Sequence, residues 1–492
     1  MAGQLRRRLV RVVEHEIHVL IGGHELPRQA TGILEGQRHP LLEEPVEEMR
    51  RTVRHVPRDR RSTFSLSGLR PKRRSGYPPC PLSTRMDFPV RVSKGLDDVS
   101  VGETRISWVG GETGDLVLRG FDIRELVPGL PYESVVHLLL YGEPPNADPS
   151  PEVVDALGRE RVVPARMENV IDALPLDIPP LEALRTILSA LGDGSYGYPP
   201  TTEEGLRLVA RVPVLLARFV RRSMGLPPLR PCDDLSHAAN YLWMLTGTIP
   251  EPERVAALEG YLDLLADHGM NASTFALRVA ISTQSDLVSA ETAALGTLKG
   301  PVHGGAPSRV TEMLDAIGRP ERADAWVKER LERRQVIFGF GHRVYKTDDP
   351  RALILHEIAR RVANPARLEL AEHVEAVTLE ALRRAKPAAR LYTNVEYYSA
   401  VVLEAVGLPP ALFTPTFAVA RTAGWAAHAL EQALDNRLIR PEMRYVGPPR
   451  GQRWPRPLPQ LGTDGPRGAE GSATEEGPTT APSRGRRRGR RP

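Results

Sequence analysis

A mainly α-helical fold with one short β-hairpin is predicted for the central part of this 492-residue sequence. Three observations predict it. Apolar residues recur at helical spacing through nearly all of the chain after residue 123. Strict alternation is confined to one stretch, around a Gly-Gly-Glu-Thr-Gly turn. Neither βαβ alternation nor a fixed-period repeat occurs.

The elements follow in chain order. "TRISWVGGETGDLVLRGFDI" (104–123) alternates on both sides of its glycines and reads as the hairpin. "GLRLVARVPVLLARFVRRSMG" (205–225) is apolar around most of its circumference, as a buried helix must be. In 253–268, Val255, Leu258, Leu262 and Leu265 recur at i, i+3, i+7 and i+10. The apolar helix "AETAALGTL" is ended by Gly300 and Pro301. "AEHVEAVTLEALRRA" carries Val374, Val377 and Ala381 on one face and closes on arginines, which favour a helix C-terminus. Gly407-Leu-Pro-Pro410 breaks the run after "AVVLEAV".

Composition excludes several function classes. The two cysteines, Cys80 and Cys232, allow neither a disulfide framework nor a Cys-based metal site, so a reducing, cytoplasmic setting is the default. No run of about 18 apolar residues suggests a membrane span. The net charge of +5 is unevenly placed. Residues 1–85 hold 17 Lys+Arg against 9 Asp+Glu, and 450–492 hold 10 against 4. The segment between them is left with 39 against 48, a net of −9. The basic excess therefore lies wholly in the ends, and nucleic-acid binding by the central domain is not expected.

The N-terminal 85 residues show no sustained period, no apolar core of a secretory signal, and acids ("LLEEPVEE") that a transit peptide avoids. The favoured reading is an over-extended start, with the functional chain beginning at Met86; the rival is an Arg-rich extension that binds polyanions. The tail "GAEGSATEEGPTTAPSRGRRRGRRP" has the composition of a disordered segment.

Four short stretches carry candidate chemistry. In "GFGHRVYKTDDPR" (339–351), His342 lies between glycines and is followed by Arg343, Lys346 and Arg351, a composition suited to an anionic ligand. His303 follows the helix-ending Gly300-Pro301, and His268 stands in "ADHGMN" at the end of another amphipathic helix. Glu396 stands in "YTNVEYYS" before an apolar run. Taken alone, each has an ordinary explanation: a solvated basic loop, a loop histidine, a helix cap, an acid favoured by the helix dipole. Taken together, they suit carbon-acid chemistry. A carboxylate removes a proton next to a carbonyl, neutral imidazoles hydrogen-bond the developing oxyanions, and arginines dock the carboxylates of a diacid.

Segment 92–448 resembles citrate synthase, of the bacterial and archaeal type that includes 2-methylcitrate synthases. The resemblance is carried in order by nine blocks: "GLDDVSVGETRIS", "LVLRGFDI", "LLLYGEPP", "EALRTILSALG", "ADHGMNAST", "AALGTLKGPVHGGAP", "GFGHRVYKTDDPRA", "NVEYYSAVVLEAVGLP" and "LFTPTFAVARTAGWAAHALEQALDNRLIRP". It implies an all-α fold with a large helical domain over 86–303 and 405–449 and a smaller mobile one over 304–404, with the ends 1–85 and 450–492 outside. It implies condensation of acetyl-CoA with oxaloacetate in a homodimer, with no cofactor and no metal. His303 matches the histidine that hydrogen-bonds the thioester carbonyl, and His342 the one that polarises the oxaloacetate ketone. Glu396 falls where the family usually has the aspartate base. His268, Arg351 and Arg421 match residues gripping oxaloacetate, and Arg440 matches an arginine reaching in from the partner subunit. The Phe338, Gly339 and Gly341 backbone matches the adenine contact, and Lys346 a cation near the CoA phosphates.

Three departures from the family's pattern stand out. Glu396 adds a methylene to the base, moving its carboxylate by about an ångström, a displacement that can cost roughly 10²-fold in rate; it reads as a retuned base rather than a dead site. Pro307 replaces an asparagine after Gly-Gly-Ala, and Leu265 a histidine before the Asp-His step. Two rival functions stay open here. One is 2-methylcitrate synthesis from propionyl-CoA, and the other is a weakly catalytic binding protein with polyanion-binding ends.

Overall fold

Sixteen α-helices and three short strands are formed by residues 92–447, excepting 98 and 305, the part of the chain that the computed structural model describes. The readings made for 1–85 and 450–492 lie outside the described residues.

The hairpin forms where the alternation places it. Strands β1 (Ser107–Gly110) and β2 (Asp115–Leu118) pair antiparallel, Ser107 opposite Leu118 and Gly110 opposite Asp115. A third strand, β3 (Phe121–Asp122), was not expected. Arg119 and Gly120, at φ 50 and 97, reverse the chain so that β3 folds back on β2. Two residues are too few for an alternation to be seen.

Helices follow in order: α1 (Ile123–Leu126), α2 (Tyr132–Tyr141), α3 (Pro151–Glu160), α4 (Arg166–Ala173), α5 (Pro180–Ser189) and α6 (Thr202–Ser223). Next come α7 (His237–Thr246), α8 (Pro252–Leu265), α9 (Ala272–Ser282), α10 (Leu287–Leu298) and α11 (Ala306–Ile317). The last are α12 (Ala323–Glu332), α13 (Pro350–Val362), α14 (Pro365–Ala385), α15 (Val395–Ala405) and α16 (Phe413–Leu434). Side chains at their starts explain where several begin. Thr201 and Glu204 form a capping box on α6, and Asn271, Asp286, Asp349 and Asn364 cap α9, α10, α13 and α14. Among the described residues, no helix is long and apolar enough to cross a membrane.

Helix α16 is the axis of the core. It is buried almost continuously from Phe413 to Ala429 and packs against α2, α6, α8, α9, α10 and α11. Helix α8 touches α16 and also α13 and α15, so it joins the centre to the later helices. One contact is too close for any side chain. A Cβ at Gly424 of α16 would lie 2.2 Å from the Ala266 carbonyl oxygen and 2.9 Å from Asp267 Oδ1.

Gly424→Ala should therefore destabilise the chain by about 1–3 kcal/mol, the usual cost of overpacking a rigid core. The midpoint of urea unfolding measures it; an unchanged midpoint would mean that the 266–267 backbone yields freely.

Candidate active site

The site begins where α8 ends. Two turns of α16 present Arg421, Gly424 and His428 on one face, at the i, i+3, i+7 spacing of a helical stripe. Arg421 donates from Nε to the Leu265 carbonyl at 2.6 Å. His428 accepts Arg278 N–H groups on Nδ1 and donates from Nε2 to Asp267 Oδ1 at 3.1 Å. Asp267 also accepts from the Ser107 hydroxyl of β1 and from the Gly269 amide. Burial alone would raise its pKa, but His428, Arg421 and Ser107 hold the carboxyl well below the usual carboxylate range. These contacts fix the turn on which the next residue, His268, stands. Its Nε2 is 3.2 Å from the Tyr345 hydroxyl.

The second part is built from the glycine-flanked loop. Gly339 and Gly341 take φ 90 and 85, and a Cβ at Gly339 would sit 2.5 Å from Tyr397 Cδ2. The freed backbone pairs with the segment leading into α15. Gly341 N–H donates to Tyr392 O at 2.7 Å, and Asn394 N–H to Gly339 O at 3.0 Å. The hairpin turn supports the far side of the loop: Lys346 N–H donates to Gly111 O at 2.7 Å, and a Cβ on Gly111 would strike the Val344 carbonyl oxygen at 2.7 Å. Within this frame His342 accepts the Val344 and Tyr345 amides on Nδ1, at 3.0 and 2.9 Å. The neutral ring therefore carries its proton on Nε2, free to donate. The rings of His342 and His268 lie edge to face with centroids 5.6 Å apart.

Asp349 ties this loop to the carboxylate. It caps α13, accepts Arg351 Nε and Nη2 at 3.0 and 2.8 Å, and receives the Val395 amide at 3.2 Å. Glu396, the next residue, thus enters the first turn of α15 from a fixed point. Burial pushes its carboxyl up, Arg351 opposes this, and Asp349 adds to it.

His303 lies on the turn after α10, with Nε2 2.9 Å from Ser273 Oγ and its ring edge-on to Phe417. Arg421 holds its guanidinium over the Phe417 ring, 4.8 Å from the centroid. The histidines share one electrostatic environment. Burial and Arg421 lower His303 to about 4; burial, Arg351 and Lys346 lower His342 to about 4, against Asp349. His268 is lowered further by burial, Arg351, His342 and Arg421. All three rings are neutral at neutral pH. An arrangement of neutral donors, a half-buried carboxylate and two buried arginines can take a proton from carbon and stabilise the resulting oxyanion.

The structure thus gathers His268, His303, His342, Arg351, Arg421 and Glu396. Lys346 stands exposed at the rim, donating to the Arg343 carbonyl at 3.0 Å. Within the Phe338–Gly341 quartet, Gly339 and Gly341 spend backbone groups on the pairing with 392–394. Arg440 is not with the others. It is exposed beyond α16, lining a cavity of about 760 Å³ with Leu96, Arg105, Phe275, Arg278 and Glu431. Sequence reasoning missed Asp267 and Asp349. Each neighbours a residue that it did single out, in "ADHG" and "TDDPR", and that adjacency was the available signal.

The family profile described as "Citrate synthase, C-terminal domain" matches residues 95–442. "Citrate synthase 2" of Bacillus subtilis is 39% identical over 362 residues, covering 72% of this chain and 96% of that one. "2-methylcitrate synthase 2" of Corynebacterium glutamicum is 38% identical over 72% of this chain and 95% of its own length. The citrate synthase of Thermoplasma acidophilum, solved as a ternary complex with carboxymethyl coenzyme A and oxaloacetate, is 30% identical. It superposes with a TM-score of 0.70 over 74% of this chain and 98% of its own.

The lowered histidines make stability pH-dependent. A histidine with a depressed folded pKa leaves the unfolded chain binding the extra proton below pH 6.5, so its contribution is complete above that pH and lost as pH falls toward 4. The stability gap between the parent and His342→Asn, read from urea unfolding, should be widest above pH 6.5 and narrow toward pH 4. A constant gap would mean that His342 protonates freely in the folded state.

Proposed function

The chain belongs to the citrate synthase family, and from that premise we propose that it condenses acetyl-CoA with oxaloacetate and hydrolyses the citryl-CoA formed to citrate and CoA. The observation that carries this reading is that the two buried arginines, Arg351 and Arg421, between them act on three neutral imidazoles, and that Arg351 also acts on the half-buried Glu396.

In this reading Glu396 removes a proton from the thioester methyl group, a weak carbon acid near neutral pH. His303 donates to the enolate oxygen as charge develops. Donation by Ser273 to His303 Nε2 would leave Nδ1–H as the donor to substrate. His342 donates from Nε2 to the oxaloacetate ketone, making its carbon the electrophile. Arg351 and Arg421, already oriented by Asp349 and by Leu265 O, take the oxaloacetate carboxylates, with His268 beside them. The backbone of Phe338, Gly339 and Gly341 serves the adenine, and Lys346 the CoA phosphates. Arg440 is assigned to the site of a second protomer in a homodimer, which accounts for its distance from the centre of its own chain. We assign 304–404 as the smaller domain, closing over 86–303 and 405–449 to exclude water during enolisation. No cofactor is assigned beyond the thioester substrate, and the cytoplasm is the assigned compartment.

Relatives of similar identity make citrate or 2-methylcitrate, so the acyl group is the property to measure. One methylene discriminates by only about 1–3 kcal/mol in a pocket. Thiol release by the full chain with oxaloacetate should give the higher kcat/KM with acetyl-CoA; a strong preference for propionyl-CoA would overturn the choice of thioester.

Glu396→Gln should lower kcat by roughly 10²–10⁴-fold, the range for a general base. Oxaloacetate binding, followed by calorimetry, should be nearly unchanged. The parent's acid limb in kcat/KM should lie above 4.5, because burial raises the carboxyl. Turnover of the variant within a few-fold of the parent would mean that another group is the base.

A further inference from the structure

Tyr261 of α8 is fully buried, and its hydroxyl has no hydrogen-bond partner among the described residues. An unpaired buried donor is destabilising, and native interiors rarely keep one without a use. Its position is particular. Helix α8 packs against α13, α15 and α16, which carry Arg351, Glu396 and Arg421. The charges acting on the hydroxyl are those of Arg421, Glu396 and Arg351, with Tyr241 beside them. Tyr241 is already committed, its hydroxyl 3.0 Å from Thr416 Oγ1. One turn beyond Tyr261, the Leu265 carbonyl holds Arg421. Tyr261 is therefore the uncommitted phenol between the helix bearing the base and the helix bearing the arginine.

We propose that Tyr261 is a positioning residue for the base: its hydroxyl donates a hydrogen bond to the Glu396 carboxylate in the substrate-filled site. The chemistry suits the longer side chain. A glutamate has one more rotatable bond than an aspartate, so it needs an additional constraint to hold one oxygen toward carbon. A donor on the other oxygen supplies that constraint. It also favours the charged form of the base, offsetting part of the burial that disfavours it. The two arginines strengthen the phenol as a donor by drawing charge toward themselves.

The assignment rests on Glu396 being the base, and its test separates the two. In the full chain, Tyr261→Phe should lower kcat about tenfold or more, the range of a hydrogen bond to a charged group. Oxaloacetate binding should stay the same, and the acid limb of kcat/KM should move to higher pH, because the lost donor favoured the carboxylate. In a Glu396→Asp background, where the shorter arm withdraws from Tyr261, the same substitution should change kcat by less than about twofold. Parental kcat and an unmoved limb in Tyr261→Phe, with a raised melting temperature, would show an unused hydroxyl and overturn the assignment. A raised KM for oxaloacetate with kcat and limb unchanged would overturn it too, by giving the hydroxyl to Arg421. Full activity of Glu396→Gln would instead remove the premise, leaving those readouts of Tyr261 to be read without it.

Discussion

A carboxylate with no access to water fixes the geometry of this site. Asp267 is fully buried, and an ion in that position is tolerated only when its lone pairs are met by donors. Its donors come from three places: Ser107 on the hairpin, Gly269 in its own turn, and His428 on the central helix. The bonds therefore do more than stabilise one side chain. They clamp sheet, turn and α16 together at the residue before His268. Gly424 completes the clamp by omission, since the Ala266 carbonyl occupies the space where a Cβ would stand. Arg421 and His428, two turns apart on α16, grip the same turn from either side of that glycine.

Asp349 plays the matching part in the other half. One carboxylate caps α13, pairs with Arg351 and receives the first amide of α15. Breaking a buried pair of this kind is costly because it strands a charge, on the order of 3–5 kcal/mol. Arg351 thus reaches the site already oriented. The backbone pairing of Gly339 and Gly341 with 392–394 then fixes His342 relative to Glu396. Electrostatics and packing act together here. Burial, together with Arg351 and Arg421, suppresses protonation of the three histidines, so the rings remain donors of one proton each rather than cations.

Much of this was legible in the sequence, and the remainder has a physical pattern. The hairpin, α8, α6 and the break at Gly407–Pro410 follow from local periodicity and from breakers, which act over a few residues. His303, His342 and Glu396 were visible because glycines and helix ends mark where backbone opens toward a ligand. Asp267, Asp349 and Tyr261 were not. Asp267 takes a donor 160 residues away and Asp349 one 46 residues away, while Tyr261 is set apart by a missing partner, and a one-dimensional pattern registers neither. The hairpin shows the difference well. Its Gly110-Gly111 turn could be read as a turn, but its use as a seat for residues 344–346 depends on close backbone approach across the fold. The third strand escaped for a simpler reason, being two residues long.

The glutamate at 396 can be weighed in the same terms. A longer arm is a liability when a base must meet a carbon within a few tenths of an ångström, because each added rotor must be frozen on binding. It becomes an advantage only if the surroundings freeze that rotor before substrate arrives. The start of α15 is anchored through Val395 by Asp349, and the far side of its neighbourhood is closed by α8. Partial burial limits solvation of the carboxylate, which raises its proton affinity, while Arg351 holds that rise in check. The balance suits a base for a weak carbon acid: burial makes the carboxylate more basic than a solvated one, while Arg351 favours its charged form. On the assignment proposed above, the extra methylene and the unpaired Tyr261 phenol form one feature of this chain.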